Sequence, residues 1–192
     1  VAARIVIAGG PAGTIEQEFF KASVAVRKKE ITKASELVRS LKSVPGDIAF
    51  EAAFRTHTVS TPKLARYYLQ SLENVIVKAD DPVVLPDERK ITLEHILPER
   101  DLTAWSYIPK EAAMHLCRRL GNMALMPKKA NNDAKSSGYE KKKEFLSATS
   151  AYTLTREIPA NWPGKKWEEK QINERQDRLA KLAVKAWPLK SS

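Results

Sequence analysis

Apolar and polar positions follow different periods in the two halves of the chain. In residues 1–88, apolar side chains recur every three or four positions, which is typical of helices with one buried face. Helices are predicted from about Thr14, over 32–43, over 48–54 and after Thr61. Aspartate and proline residues between 80 and 87 predict a loop, so an N-terminal helical connector is expected to end at residue 88.

The second half, residues 89–192, combines short strands with helices. Residues 91–97 alternate between two faces, with His95 on one face and Glu94 on the other, which predicts a strand. The further predicted elements are a helix over 110–120, a strand over 122–126, a helix over 139–149 and a last helix over 167–187. The predicted fold class is therefore α+β and mostly α-helical.

The composition narrows the possible partners and settings of the chain. Residues 1–88 carry 12 Lys and Arg against 11 Asp and Glu, whereas residues 89–192 carry 21 against 12, a net charge of +9. Such an excess favours a polyanion, above all nucleic acid, as the partner. The only cysteine, Cys117, excludes an intramolecular disulfide and a Cys-rich zinc site. No apolar run approaches the roughly 18 residues of a membrane span, and no secretory signal is visible, so we expect a cytoplasmic protein.

A glycine-rich segment near the start invites a dinucleotide-binding interpretation. Gly9, Gly10 and Gly13 follow an apolar stretch and precede a predicted helix. Position 8 is alanine where the G-x-G-x-x-G pattern requires its first glycine, and no acidic residue ends a second strand about 20 residues later. We interpret the segment as a turn before a helix, with a nucleotide-binding enzyme as a remote alternative.

The most suggestive chemistry surrounds His95, which follows Glu94 late in a predicted strand. Adjacent strand residues point to opposite faces, so one of them can bind a metal while the other faces a substrate. Asn122 begins the next predicted strand, and Asn131 follows nine residues later, just before a predicted helix. A strand with histidine, a second strand and a helix with asparagine together resemble the plan of ββα-metal (His-Me finger, HNH) nucleases. The sequence thus predicts an embedded ββα-metal finger.

Phosphodiester hydrolysis explains why these residue types occur together. A histidine with an ordinary pKa of about 6.5 can deprotonate water near neutral pH. Magnesium prefers oxygen ligands and keeps several waters, so one carboxylate and one amide oxygen suffice to hold it. We therefore predict His95 as general base, Glu94 and Asn131 as ligands of Mg²⁺ or Mn²⁺, and Asn122 as the residue that fixes the loop or the histidine ring.

Several basic side chains are candidates for contacts to the DNA backbone. They are Lys135, Lys141, Lys142 and Lys143, near or on the predicted helix 139–149. The alternative for these lysines is an ordinary solvated helix face. Arg175 is either a phosphate contact or a buried structural partner of an acid, and the sequence leaves both possibilities open.

Two motifs connect these residues to a known family. The first runs through Glu94-His95-Ile96-Leu97-Pro98, residues 120–126, Asn131 and Lys142. The second is a tail with Trp167, Ile172, Arg175, Leu179, Ala183 and Trp187. At these positions the chain resembles the C-terminal HNH domain of GmrSD-type restriction proteins, an architecture that SspE-like nickases share. Residues 90–192 carry the resemblance, and the upstream helices look like the family's connector.

The resemblance implies a metal-dependent DNA endonuclease or nickase domain, residues 89–192, from an anti-phage restriction protein. It also implies an upstream NTPase domain in the parent polypeptide, although this chain contains no NTPase motif. Met123, Met126 and Ala130 stand where the family usually has leucine, which changes packing rather than chemistry. The alternative function is a catalytically silent DNA-binding or regulatory module of the same fold. The oligomeric state is left open.

Overall fold

The computed structural model describes residues 1–10, 12–79, 84–148 and 152–189, and 62% of it is helical with a small two-stranded sheet. The predicted α+β, mostly helical class is therefore confirmed. The first part of the chain contains five helices in the described residues, namely α1 (Ala2–Ile7), α2 (Ala12–Arg27), α3 (Ala34–Ser40), α4 (Asp47–Thr56) and α5 (Pro62–Val77). The predicted boundary loop lies partly outside the described residues, at 80–83.

The second part alternates the two strands with helices. Its elements are β1 (Ile91–His95), α6 (Lys110–Leu116), β2 (Met123–Pro127), α7 (Lys128–Ala134), α8 (Tyr139–Ala148), α9 (Thr153–Asn161) and α10 (Glu169–Ala186). Short 3₁₀ turns cover Thr103–Trp105 and Leu120–Asn122. Among the residues that the structure describes, no helix combines the length and apolar character needed to cross a membrane.

Three helices were not predicted from the sequence pattern, namely α1, α7 and α9. Helix α7 begins directly after β2, so Asn131 lies inside this helix rather than before it. Helix α9 begins where the side chain of Glu73, on α5, accepts hydrogen bonds from the backbone nitrogens of Thr153 (2.6 Å) and Leu154 (2.8 Å). A carboxylate is a favourable cap for these free N–H groups, but it comes from a distant part of the chain.

Strands β1 and β2 form an antiparallel hairpin in which His95 lies opposite Met123 and Glu94 opposite Ala124. Each face of the hairpin packs against a separate core. Leu93 and Leu125 belong to the first face, whereas Ala124 and Met126 belong to the second. The hairpin is thus buried on both sides, which holds the backbone around His95 in place.

The first core joins the two halves of the chain. Aromatic residues of α4 and α5 pack there against α10 and β2. The residues of this core include Phe50, Phe54, Tyr68, Leu125, Leu179 and Trp187. The second core lies on the opposite face of the hairpin and includes Ile96, Trp105, Tyr139, Leu146, Ile158 and Trp167. The first core therefore crosses residue 88, the predicted limit of the helical connector.

Helix α10 approaches the hairpin closely at Gly121. A Cβ atom at this position would lie against the carbonyl oxygen of Ile172 and 3.0 Å from the backbone nitrogen of Gln176. The Gln176 side chain accepts a hydrogen bond from the Gly121 nitrogen (2.5 Å). Only glycine permits this contact, which sets the position of the turn that leads into β2.

Candidate functional site

The strands β1 and β2 and the helix α7 form one continuous structural unit, here called the ββα unit. Helix α7 packs on the hairpin through Asn131, whose Nδ2 donates hydrogen bonds to the Thr92 hydroxyl (2.8 Å) and the Leu93 carbonyl (3.1 Å). The amide oxygen of Asn131 accepts no hydrogen bond from the described residues. It thus remains available to a ligand.

His95 lies at the last position of β1 with 20% of its side chain exposed. Its Nε2 atom is 3.9 Å from the carboxylate of Glu99. Burial lowers the pKa of His95 below its usual 6.5; Lys142 acts in the same direction, and Glu99 opposes the change. The ring is therefore held neutral at neutral pH and remains partly accessible, as a general base requires.

The carboxylate of Glu94 forms a buried ion pair with Lys142 of α8. Lys142 Nζ lies 2.5 Å from Glu94 Oε1 and donates a second hydrogen bond to the His95 carbonyl (2.8 Å). The two residues are 6% and 1% exposed, respectively. Burial raises the pKa of Glu94 and lowers the pKa of Lys142, whereas their mutual attraction opposes both changes.

The placement of Lys142 corrects its expected role as a DNA contact. A side chain that is 1% exposed and bound to Glu94 cannot also reach a phosphate in this structure. A sequence signal for this burial exists, because Tyr139, Lys142 and Leu146 lie three and four positions apart on one buried helix face. This spacing places Lys142 on the buried face of α8, with Tyr139 and Leu146, and not on the face exposed to solvent.

Asn122 is fully buried and fixes the loop that follows β1. Its Oδ1 accepts hydrogen bonds from the Leu97 nitrogen (2.8 Å) and from Trp167 Nε1 (3.1 Å). Its Nδ2 donates to the carbonyls of Leu97 (2.8 Å) and Cys117 (3.3 Å). Asn122 was expected to fix either the loop or the histidine ring. The structure shows contacts to the loop, at Leu97, which lies two residues after His95.

Arg175 is fully buried, which corrects the phosphate contact, the first of the two roles that the sequence left open. Its guanidinium donates to the carbonyls of Gly121 (2.7 Å), Met123 (2.7 Å) and Leu154 (3.3 Å). Burial lowers the pKa of Arg175 to about 10. Arg175 therefore ties α10 to the start of β2 and to α9, through backbone carbonyls rather than through an acid.

The remaining candidate lysines occupy the surface to different degrees. Lys135 and Lys141 are exposed. Lys143 donates to Glu140 (2.8 Å) and to the carbonyls of Pro163 (2.8 Å) and Gly164 (2.9 Å), which ties α8 to the turn before α10. Lys135 and Lys141 are thus the two that keep their charge free for a phosphate.

Residues that could hold a divalent cation lie on α7 and on β1. Among the described residues, no group of three or more His, Cys, Asp or Glu side chains is arranged to bind a metal. Glu94 shares its strand face with Thr92, which Asn131 contacts. One carboxylate and one amide oxygen suit a hard cation that keeps most of its waters. The ammonium of Lys142 competes for the same carboxylate.

Comparison with known proteins identifies a family. No curated protein and no solved structure matches the chain. The family model of the C-terminal domain of GmrSD restriction endonucleases matches residues 44–182, more than two thirds of the 192 residues. The match contains the ββα unit, His95, Lys142 and most of α10. The chain therefore belongs to the family of C-terminal domains of GmrSD restriction endonucleases.

Proposed function

We propose that this domain hydrolyses phosphodiester bonds of DNA as an HNH-type (His-Me finger) endonuclease or nickase, with His95 as general base. The carrying observation is the placement of a partly exposed histidine at the end of β1, within a ββα unit. Its lowered pKa keeps the ring able to accept a proton from water at neutral pH. Membership of a restriction endonuclease family supports a nuclease activity.

The other residues of the unit support His95. Asn122 holds the loop after β1, which keeps the end of the strand in one position. Glu94 and Asn131 would hold Mg²⁺ or Mn²⁺ through their side-chain oxygens. When bound, such a cation supplies positive charge to the scissile phosphate and to the leaving oxygen. A cytoplasmic setting and an upstream NTPase domain in the parent polypeptide belong to the same proposal.

The DNA backbone is proposed to follow a basic edge made of Lys90, Lys128 and Lys129. All three side chains are exposed, and none has a carboxylate within ion-pair distance in the described part of the chain. A hydrogen bond from the Lys128 nitrogen to the Lys90 carbonyl (2.8 Å) holds two of them side by side. Strand β1 leads from Lys90 at this edge to His95 over about 17 Å, which a few nucleotides of one strand span. Lys135 and Lys141 are further candidates.

Nicking of supercoiled plasmid tests the proposed activity. The His95→Ala variant should lose about 10²–10⁴-fold in rate, because proton transfer by a positioned base contributes this much. His115→Ala removes an exposed histidine of α6 and serves as control, with an unchanged rate expected. EDTA should abolish nicking by the wild type. Equal rates for wild type and a folded His95→Ala variant would overturn the role of His95.

A catalytically silent DNA-binding module is the second candidate. The ammonium of Lys142 on Glu94 favours it, since an occupied carboxylate is a poorer metal ligand. This candidate predicts plasmid binding without nicking, in Mg²⁺ as well as in Mn²⁺. The plasmid assay therefore separates the two functions when binding is measured in the same samples.

A further inference from the structure

The Glu94 carboxylate has one cationic partner among the residues that the structure describes. Lys142 Nζ lies 2.5 Å from Oε1 of this carboxylate and 2.8 Å from the carbonyl oxygen of the adjacent His95. The same ammonium is 6.0 Å from the centre of the Trp105 ring, which forms part of the second core. Lys142 is thus held by three groups, and two of them belong to the end of β1 that carries the proposed base.

Because this ion pair is buried, neither residue can lose its partner without a large cost. Glu94 is 6% exposed and Lys142 is 1% exposed, so water cannot solvate either charged group in place of its partner. A buried carboxylate that loses its counter-ion is strongly disfavoured. A divalent cation bound to the same carboxylate would lie next to the ammonium, and like charges at such a distance repel. The carboxylate can therefore be neutralised by the ammonium or by the metal, but poorly by both together.

We propose that Lys142 is the counter-ion of Glu94 in the metal-free protein and that a divalent cation replaces it there. This inference rests on the metal site of the proposed function. Lys142 is then a positioning residue: it keeps the buried carboxylate charged and in place until the metal binds. The ammonium also donates a hydrogen bond to the His95 carbonyl. When the metal displaces the ammonium, this hydrogen bond is lost as well, so metal binding also affects the backbone of the proposed base.

Thermal unfolding in EDTA and in a series of Mn²⁺ concentrations tests this exchange without any cleavage reaction. Lys142→Met removes the charge and keeps most of the side-chain length. This variant should have a lower Tm than the wild type in EDTA, and Mn²⁺ should restore most of the loss. Its half-saturating Mn²⁺ concentration should fall by about 10-fold or more relative to the wild type, because the ammonium no longer competes with the metal for the carboxylate.

Two further variants make the result specific. Lys143→Met changes the neighbouring lysine, which pairs with Glu140 at the surface, and its Mn²⁺ response should equal that of the wild type. The double variant Glu94→Gln/Lys142→Met removes both charges of the pair. It should show no Mn²⁺-dependent rise in Tm, because the carboxylate that binds the metal is gone.

Several outcomes would overturn the proposal. They are a Lys142→Met variant whose Tm does not respond to Mn²⁺, and a double variant that responds as strongly as the single one. If Lys142→Met does not fold in EDTA, it is prepared in Mn²⁺ and then treated with EDTA. Unfolding on chelation supports the exchange, whereas failure to fold in Mn²⁺ overturns it.

The melts also separate this inference from the proposed nuclease function. A Glu94-dependent response to Mn²⁺ without plasmid nicking would retain the exchange and reject the nuclease. Metal-dependent nicking by the wild type, together with a Lys142→Met variant that ignores Mn²⁺, would retain the nuclease and make Lys142 a purely structural residue.

Discussion

At the scale of single residues, the buried polar side chains hold the region around His95 together. Asn122 and Arg175 are both fully buried, and they satisfy backbone groups in segments that form no regular ladder. Such groups are costly when left without partners in the interior. The expected consequence is that these residues control stability first and activity through it.

Replacing Asn122 by alanine should lower the free energy of unfolding by about 3 kcal/mol, because the Leu97 nitrogen and the Trp167 indole lose their acceptor. Urea unfolding followed by fluorescence measures the loss. Asn132→Ala, at an exposed position of α7, is the control and should change stability by less than about 0.5 kcal/mol. Equal stabilities for wild type and Asn122→Ala would contradict the structural role.

His57 should make the fold sensitive to mild acid. Its buried Nε2 has no hydrogen-bond partner among the residues that the structure describes, and burial lowers the pKa of the ring below 6.5. Between that lowered pKa and the unfolded value, the unfolded chain binds more protons, so stability falls as the pH falls through this window. His57→Phe keeps the ring that packs against Tyr68 and should lose less stability between pH 8 and pH 5 than the wild type. Parallel pH profiles of the two proteins would reject this account.

At the scale of elements, the proposed catalysis and the proposed DNA binding lie at opposite ends of the hairpin. The end of β1 holds His95, and the start of α7 holds Lys128 and Lys129. The second half of the chain carries a net charge of +9, and this edge presents part of it with no ion-paired carboxylate in the described part of the chain. Its contribution to DNA binding should therefore be separable from the chemistry at His95.

Changing Lys90, Lys128 and Lys129 to glutamine should weaken binding to duplex DNA and make it less dependent on salt. Each lost phosphate contact reduces the slope of log K against log salt by about 0.9, so three contacts reduce it by nearly 3. Fluorescence anisotropy at several salt concentrations measures the slope. A triple change of the exposed lysines 21, 28 and 63 removes the same charge from the first half and should leave the slope unchanged. Equal losses in both triple variants would reject a local DNA-binding edge.

At the scale of the whole molecule, the two halves of the chain share one core. Trp187 follows α10, and its ring lies 6.1 Å from Phe50 and 5.6 Å from Tyr68. Its backbone oxygen accepts a hydrogen bond from Arg4 (2.6 Å), which is fully buried. The helical connector predicted over 1–88 is thus packed against the end of the second half of the chain, and we expect the halves to unfold together.

Trp187→Ala should lower the free energy of unfolding by about 3 kcal/mol or more, as large-to-small changes in cores do. The loss should appear in a single transition, with far-ultraviolet dichroism and the fluorescence of the remaining Trp105, Trp162 and Trp167 changing at the same urea concentration. All three tryptophans lie in or against the second core, so they report on the far side of the hairpin. Two separate transitions would support the division at residue 88 instead.

Much of this arrangement follows from local pattern. The alternation around Glu94 and His95 predicted β1, the glycine and proline at 121 and 127 bounded β2, and the apolar stripe of α10 predicted each of its ends to within two residues. These features depend on spacing along the chain, which the backbone periods of helix and strand translate directly into structure. For the same reason, the sequence predicted that His95, Asn122 and Asn131 follow one another on a strand, at the start of a second strand and near a helix.

The tertiary structure alone decided what the charged and polar groups do. A positive side chain has the same formula in a core as on a surface, so charge did not distinguish the buried Lys142 and Arg175 from the exposed Lys128. The start of α9 likewise depends on a carboxylate from α5, about 80 residues away. The sequence by itself determined both strands, most of the helices, the candidate base and the excess of positive charge. Which cation contacts Glu94 depends on the tertiary structure, because burial and contact are properties of the packed molecule.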